Sequence, residues 1–120
     1  MYAVRHEPAL DPVVVRLVGV LDDDLVLETG RTLRALGGPR TALVDVRDLT
    51  LVGEAEMLAL AQTIAAARAA GLDARLDGGL LPWRNVARRV LSRQRPVDEP
   101  LRRVVRRTVI IAHSGRRRRR

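Results

Sequence analysis

The sequence predicts an α/β protein with a mixed, mostly parallel sheet of four or five strands and helices packed against it. Three observations lead there. Residues 41–76 pass from a short apolar run (Ala42, Leu43, Val44, Asp45, Val46) through a turn signal at Arg47 and Asp48 into an Ala-rich helical stretch that stops at Gly71. A second short strand signal follows over residues 73–76, completing a β–α–β crossover, the unit that builds parallel sheets. Upstream, Val13, Val14, Val15, Arg16, Leu17 and Val18 are β-branched and mostly apolar, as a central strand should be.

Taken in order, residues 3–6 read as a short edge strand, and residues 7–12 carry the turn chemistry to follow it. After the central strand come Asp22, Asp23 and Asp24, one a natural helix N-cap and the others suited to a first turn. Consecutive carboxylates at a helix start point apart, so capping explains the run better than a cation site does. The helix they open buries Leu25, Thr29, Leu33 and Leu36 at helical spacing, and Gly37-Gly38-Pro39 stops it. Gly30 inside it costs about 1 kcal/mol relative to alanine. The next helix, over residues 53–70, puts Met57, Leu60, Ala61 and Ile64 on one stripe as core, with Gly71 as its C-cap.

Gly78-Gly79 marks a loop, and Pro82 fits the first position of a helix that sets Trp83, Val86, Ala87 and Val90 on one face. Arg84, Arg88 and Arg89 fall on the other. Trp83, the one large aromatic apart from Tyr2, reads as a core or domain-edge anchor. Beyond the interruptions at Pro96 and Pro100, Leu101, Val104, Val105, Val109 and Ala112 keep a helical period opposite Arg102, Arg103, Arg106 and Arg107. The β-branched run over residues 108–111 keeps a strand open there as well. The organisation expected is a body over residues 1–95, a basic amphipathic helix over 96–115 completing it, and a disordered tail over 116–120.

At 120 residues the chain has the size of one domain with a single core. It contains no cysteine, which excludes disulfides, thiolate nucleophiles and thiolate metal sites. No apolar stretch approaches bilayer-spanning length, and the first twelve residues lack the basic and apolar regions of a leader, so a cytoplasmic protein is expected. All 22 basic residues are arginine, a pattern of GC-rich bacterial coding. Residues 1–80 carry 8 arginines against 12 acids, a net of −4, and residues 81–120 carry 14 against 2, a net of +12; together they give the net charge of +8. A mildly acidic body thus bears a strongly basic C-terminal third.

Catalytic constellations do not assemble from the sequence, and no enzymatic activity or cofactor is expected. His6 and His113 lie near opposite ends without partners at ligand spacing. Ser92 and Ser114 sit in basic surroundings with no nucleophile-elbow pattern. Gly37-Gly38-Pro39-Arg40-Thr41 lacks the lysine of a phosphate loop and precedes a strand instead of a helix.

Two short motifs point further. Asp45-Val46 at a strand end, the lead-in Leu49-Thr50-Leu51-Val52 and the helix start Gly53-Glu54-Ala55-Glu56-Met57 resemble the STAS domain of bacterial anti-sigma factor antagonists. There, a strand ending in Asp-Leu leads to an Asp-Ser-Ser-Gly-Leu motif. Gly19-Val20-Leu21-Asp22 resembles that family's Gly-Glu-Leu-Asp loop, and the likeness covers roughly residues 4–91. The resemblance implies a protein-interaction domain whose partner is a kinase-type anti-sigma factor. Carried over by position, the contact surface centres on Gly53, Glu54, Ala55, Glu56 and Met57, with Asp22 and Asp23 on a neighbouring loop. The family's phosphorylated serine falls on Ala55 and its neighbour on Glu54, neither of which accepts a phosphoryl group, and the following glycine is Glu56. The resemblance therefore implies docking without phosphorylation, Glu54 and Glu56 placing fixed negative charge where the helix dipole favours it.

A second reading belongs to another class. Arg102, Arg103, Arg106, Arg107, Arg116, Arg117, Arg118, Arg119 and Arg120 suit nucleic-acid phosphates or an anionic surface, binding with strong salt dependence. Neither an RRM signature nor a helix-turn-helix pattern accompanies them.

Overall fold

A computed structural model describes residues 12–50, 53–78, 81–91, 99–105 and 107–113. Its order is β1 (Val13–Val20), α1 (Asp23–Leu36), β2 (Thr41–Thr50), α2 (Glu54–Ala69), β3 (Asp73–Asp77), α3 (Leu81–Val90), α4 (Glu99–Arg103) and β4 (Arg107–His113). The strands form one sheet in the order β3-β2-β1-β4, and every pairing among the described residues is parallel. The α/β architecture is the one the periodicities imply. The edge strand expected at residues 3–6 lies outside the described residues.

Alternation along the strands divides the sheet into two faces. Val13, Val15 and Leu17 of β1, Ala42, Val44 and Val46 of β2, and Ala74 and Leu76 of β3 share one core with Leu25, Leu33, Leu60, Ile64, Trp83 and Val86 from the helices. α2 is the middle helix of that layer, packed against α1 on one side and α3 on the other. This accounts for its many alanines, since it must approach the sheet and two neighbours closely. Gly30 belongs to the same economy of space: a Cβ there would lie 3.3 Å from Cγ2 of Thr63 on α2. The helix-propensity cost of Gly30 is thus set against a close α1–α2 approach.

Caps fall where the sequence places them. Asp22 is the N-cap of α1, its Oδ1 accepting from the Leu25 backbone N–H at 2.9 Å. At the other end of α2, Gly71 takes φ +106°. The Gly71 N–H donates to the Arg68 carbonyl at 3.0 Å and the Leu72 N–H to the Ala67 carbonyl at 3.1 Å. That pair of bonds is a Schellman motif, with Leu72 and Ala67 both buried in the core.

Two sequence expectations are corrected. The turn signal at Arg47-Asp48 does not end the strand: β2 runs on to Thr50, with a register shift against β1 between the pairs Arg16–Asp45 and Val18–Asp48. β2 uses one residue more than β1 there, a bulge, and the Asp45 carboxylate accepts from the Arg47 backbone N–H at 3.0 Å. The polar pair marks this local irregularity, not a reversal. The basic helix expected over residues 96–115 is also replaced. Among its described residues only α4 is helical, and residues 107–113 form β4 beside β1. The β-branched run Thr108-Val109-Ile110-Ile111 decides it, because Val109 and Ile111 pack onto the core as alternate residues of a strand.

The order of strands reverses after β3: the chain steps outward from β1 to β3 and returns to the far side of β1 as β4. In open parallel sheets, functional residues gather beyond the carboxyl ends of the strands, where α1 and α2 begin.

Candidate functional site

The starts of α1 and α2 lie at those carboxyl ends. α1 follows β1 by two residues, with Asp22 half-buried in its capping role and Asp23 and Asp24 exposed in the first turn. α2 starts from Gly53, an N-cap with φ −93° and ψ 161° whose carbonyl accepts from the Met57 N–H at 3.0 Å. Glu54 and Ala55 are exposed, and Glu56 is half-buried. The Glu56 carboxylate folds back over Gly53, so close that a Cβ at that position would overlap it. A glycine at the N-cap, lacking a capping side chain of its own, leaves this room for Glu56.

Glu54 faces Arg89 of α3 across 3.5 Å, with both side chains more than half exposed. The contact brings one arginine of the basic α3 face to the acidic α2 start. Thr50, the hydroxyl nearest the motif in sequence, donates to the Gly19 carbonyl at 3.2 Å and so fastens the end of β2 to β1. Met57 separates from its neighbours: at 8% exposure it belongs to the core and is withdrawn from the contact surface expected of it. Of the residues carried over from the resemblance, Asp23, Gly53, Glu54 and Ala55 are the exposed ones; Asp22 and Glu56 stand partly behind them.

The opposite sheet face holds what the sequence reading overlooked. Asp45 and Asp77 are partners in the β2–β3 register and are 4% and 3% exposed. Arg47 grips Asp45 with two side-chain bonds, Nε to Oδ1 at 3.0 Å and a terminal nitrogen to Oδ2 at 2.9 Å. Arg102 of α4 donates to Asp77 Oδ1 at 2.8 Å. Beside them Arg16 pairs with Asp48 at 2.6 Å and Arg75 with Asp73 at 2.8 Å. Burial pushes the Asp45 carboxyl up, but the hydrogen bonds from the Arg47 side chain and backbone, with the charges of Arg47 and Arg16, outweigh it and hold the group below the usual carboxylate value. Hydrogen bonding to Asp45 correspondingly raises the Arg47 guanidinium. The available signal was the alternation in Asp73-Ala74-Arg75-Leu76-Asp77, which puts three charged residues on one face of a strand.

These paired charges make a structural seam. Among the described residues no group of three or more His, Asp or Glu side chains is arranged to hold a metal ion. The arginines of the second reading are divided. Arg102 is engaged with Asp77, while Arg103 and Arg107 are exposed at the end of α4 and the start of β4. Arg106 and residues 116–120 lie outside the described residues. No helix among those described is long and apolar enough to cross a membrane.

Compared with known proteins, the chain matches no family model, no curated protein and no solved structure.

Proposed function

We propose that this chain is a non-enzymatic, cytoplasmic protein-interaction domain of the STAS type, docking a protein partner through the acidic start of α2 without being phosphorylated itself. The observation that carries this reading is the exposed Gly53-Glu54-Ala55 turn at the start of α2, at the same ends of the strands as exposed Asp23 at the start of α1. It presents fixed negative charge where a regulated domain would present a hydroxyl, and the partner it suits has a basic, concave docking face. A kinase-type anti-sigma factor is the partner the sequence resemblance implies, and freeing a sigma factor is the corresponding outcome. Affinity capture from a bacterial lysate in moderate salt with nuclease tests it. Recovery of such a factor by the wild type, and its loss with Glu54→Arg, is expected; capture unaffected by that change overturns the reading.

A second reading rests on one observation, the exposure of Arg84, Arg88 and Arg89 on α3. It makes the protein a phosphate-binding surface, whose affinity falls steeply with salt and falls again when residues 116–120 are removed.

A further inference from the structure

The outer surface of α1 and α2 carries a groove of about 300 Å³ whose walls include Leu27, Gly30, Thr63 and Ala67, with Asp23 and Arg34 also on its border. Four of these residues form one stripe along α1. Asp23, Leu27, Gly30 and Arg34 follow one another at intervals of four, three and four, the spacing that keeps side chains on a single helix face. Leu27 is 52% exposed, one of the few large aliphatic side chains standing in water among the described residues. Three residues on, buried Gly30 lies in the floor of the groove, with Thr63 Cγ2 3.3 Å and Arg34 Nη1 3.7 Å from where a Cβ would stand.

The stripe is complementary to itself when reversed. Laid antiparallel on a second α1, Asp23 faces the partner's Arg34, Leu27 faces the partner's Gly30, and the same two contacts repeat on the other side of the axis. An acid opposite a base and an exposed leucine opposite a groove, each occurring twice, is the signature of an isologous two-fold contact. We propose that the α1–α2 face is the interface of a homodimer, with Leu27 of each protomer seated over Gly30 of the other, between Thr63 and Ala67 of the second helix. The two Asp23–Arg34 pairs close the ends of the contact and set its antiparallel direction. The inference does not rest on the proposed function: it uses the outer helix face and leaves Gly53, Glu54 and Ala55 open to another partner.

Analytical ultracentrifugation of the full chain over a range of concentrations, combined with cysteine cross-linking, tests the dimer. The wild type is expected to sediment as a concentration-dependent dimer, and Leu27→Asp as a monomer throughout. The natural chain has no cysteine, so Asp23→Cys and Arg34→Cys provide single reactive sites. Under mild oxidation the mixture of the two variants should yield a disulfide-linked dimer, whereas either alone should not, because like positions stand about 16 Å apart along the antiparallel helices. A wild type that stays monomeric at its highest soluble concentration overturns the proposal. So does a dimer that survives Leu27→Asp, or cross-linking as efficient within one variant as between the two. The cross-linking arm replaces only exposed residues and so remains decisive should Leu27→Asp fail to fold.

Discussion

Asp45 and Asp77 stand side by side on β2 and β3, nearly buried, and each is neutralised by an arginine from a different part of the chain. Arg47 reaches Asp45 from two residues along the same strand, whereas Arg102 reaches Asp77 from α4, 25 residues further on. The first pair is local and forms with the β2 bulge. The second is long-range and fastens α4 to the sheet face opposite the helical layer.

Removing Arg102 therefore leaves a buried carboxylate short of a charged partner. Breaking a fully buried pair in this way costs about 3–5 kcal/mol; with the Arg102 side chain 39% exposed, solvent reduces the expected loss to about 1–2 kcal/mol. Urea denaturation of Arg102→Ala, followed by the fluorescence of Trp83, measures it. Asp77→Asn, which keeps the shape and removes the charge, should recover part of the loss when combined with Arg102→Ala.

Acid should weaken the fold through Asp45. Its carboxyl is held below the ordinary value in the native state, so its contribution to stability is fully present above the unfolded-state value, near pH 4, and is lost as pH falls through the native one. The urea midpoint of the wild type should decline below about pH 4 for this reason. Arg47→Gln removes the main opposing influence and leaves burial, which raises the group. The variant should be less stable at neutral pH and show a shallower decline in acid.

Gly71 is required by its backbone. At φ +106° an L side chain is strained even though the space around the Cα is open. Gly71→Ala should cost about 1–2 kcal/mol. Gly71→Asn should cost less, since asparagine tolerates left-handed conformations better. Thermal unfolding of the two variants beside the wild type distinguishes strain from loss of space.

How much was legible follows from the range of the forces involved. The start of α1 at Asp22, the end of α2 at Gly71 and the burial of Leu25, Leu33, Leu60 and Ile64 are local or periodic, and the sequence carries them openly. The bulge at Arg47 and the strand at residues 107–113 were harder, because each depends on what lies alongside. Val109 fits a helical period with Leu101, Val105 and Ala112 as well as an alternation with Ile111, and only pairing with β1 selects the strand. The alternation over residues 73–77 set Asp77 on one strand face with Asp73 and Arg75, but its pairing with Arg102 was not legible, since the two meet only once α4 folds over the sheet. At the candidate site, the helix start at Glu54 and Ala55 was legible, and so was the core stripe that holds Met57; only the family resemblance carried Met57 onto the contact surface.

That last contrast makes the final prediction. Glu54 and Met57 lie three residues apart in one motif, yet Glu54 is exposed beside an exposed Arg89, while Met57 is packed in the core. Glu54→Arg loses a surface ion pair and puts a positive charge at a helix N-terminus, each effect worth at most about 1 kcal/mol. Met57→Ala empties a core position and should cost about 2–5 kcal/mol. Measured by urea denaturation at neutral pH, a small loss for Glu54→Arg beside a large one for Met57→Ala assigns the first residue to the surface and the second to the fold. Any loss of partner capture on changing Glu54 then reports the contact itself, because the domain presenting it remains folded.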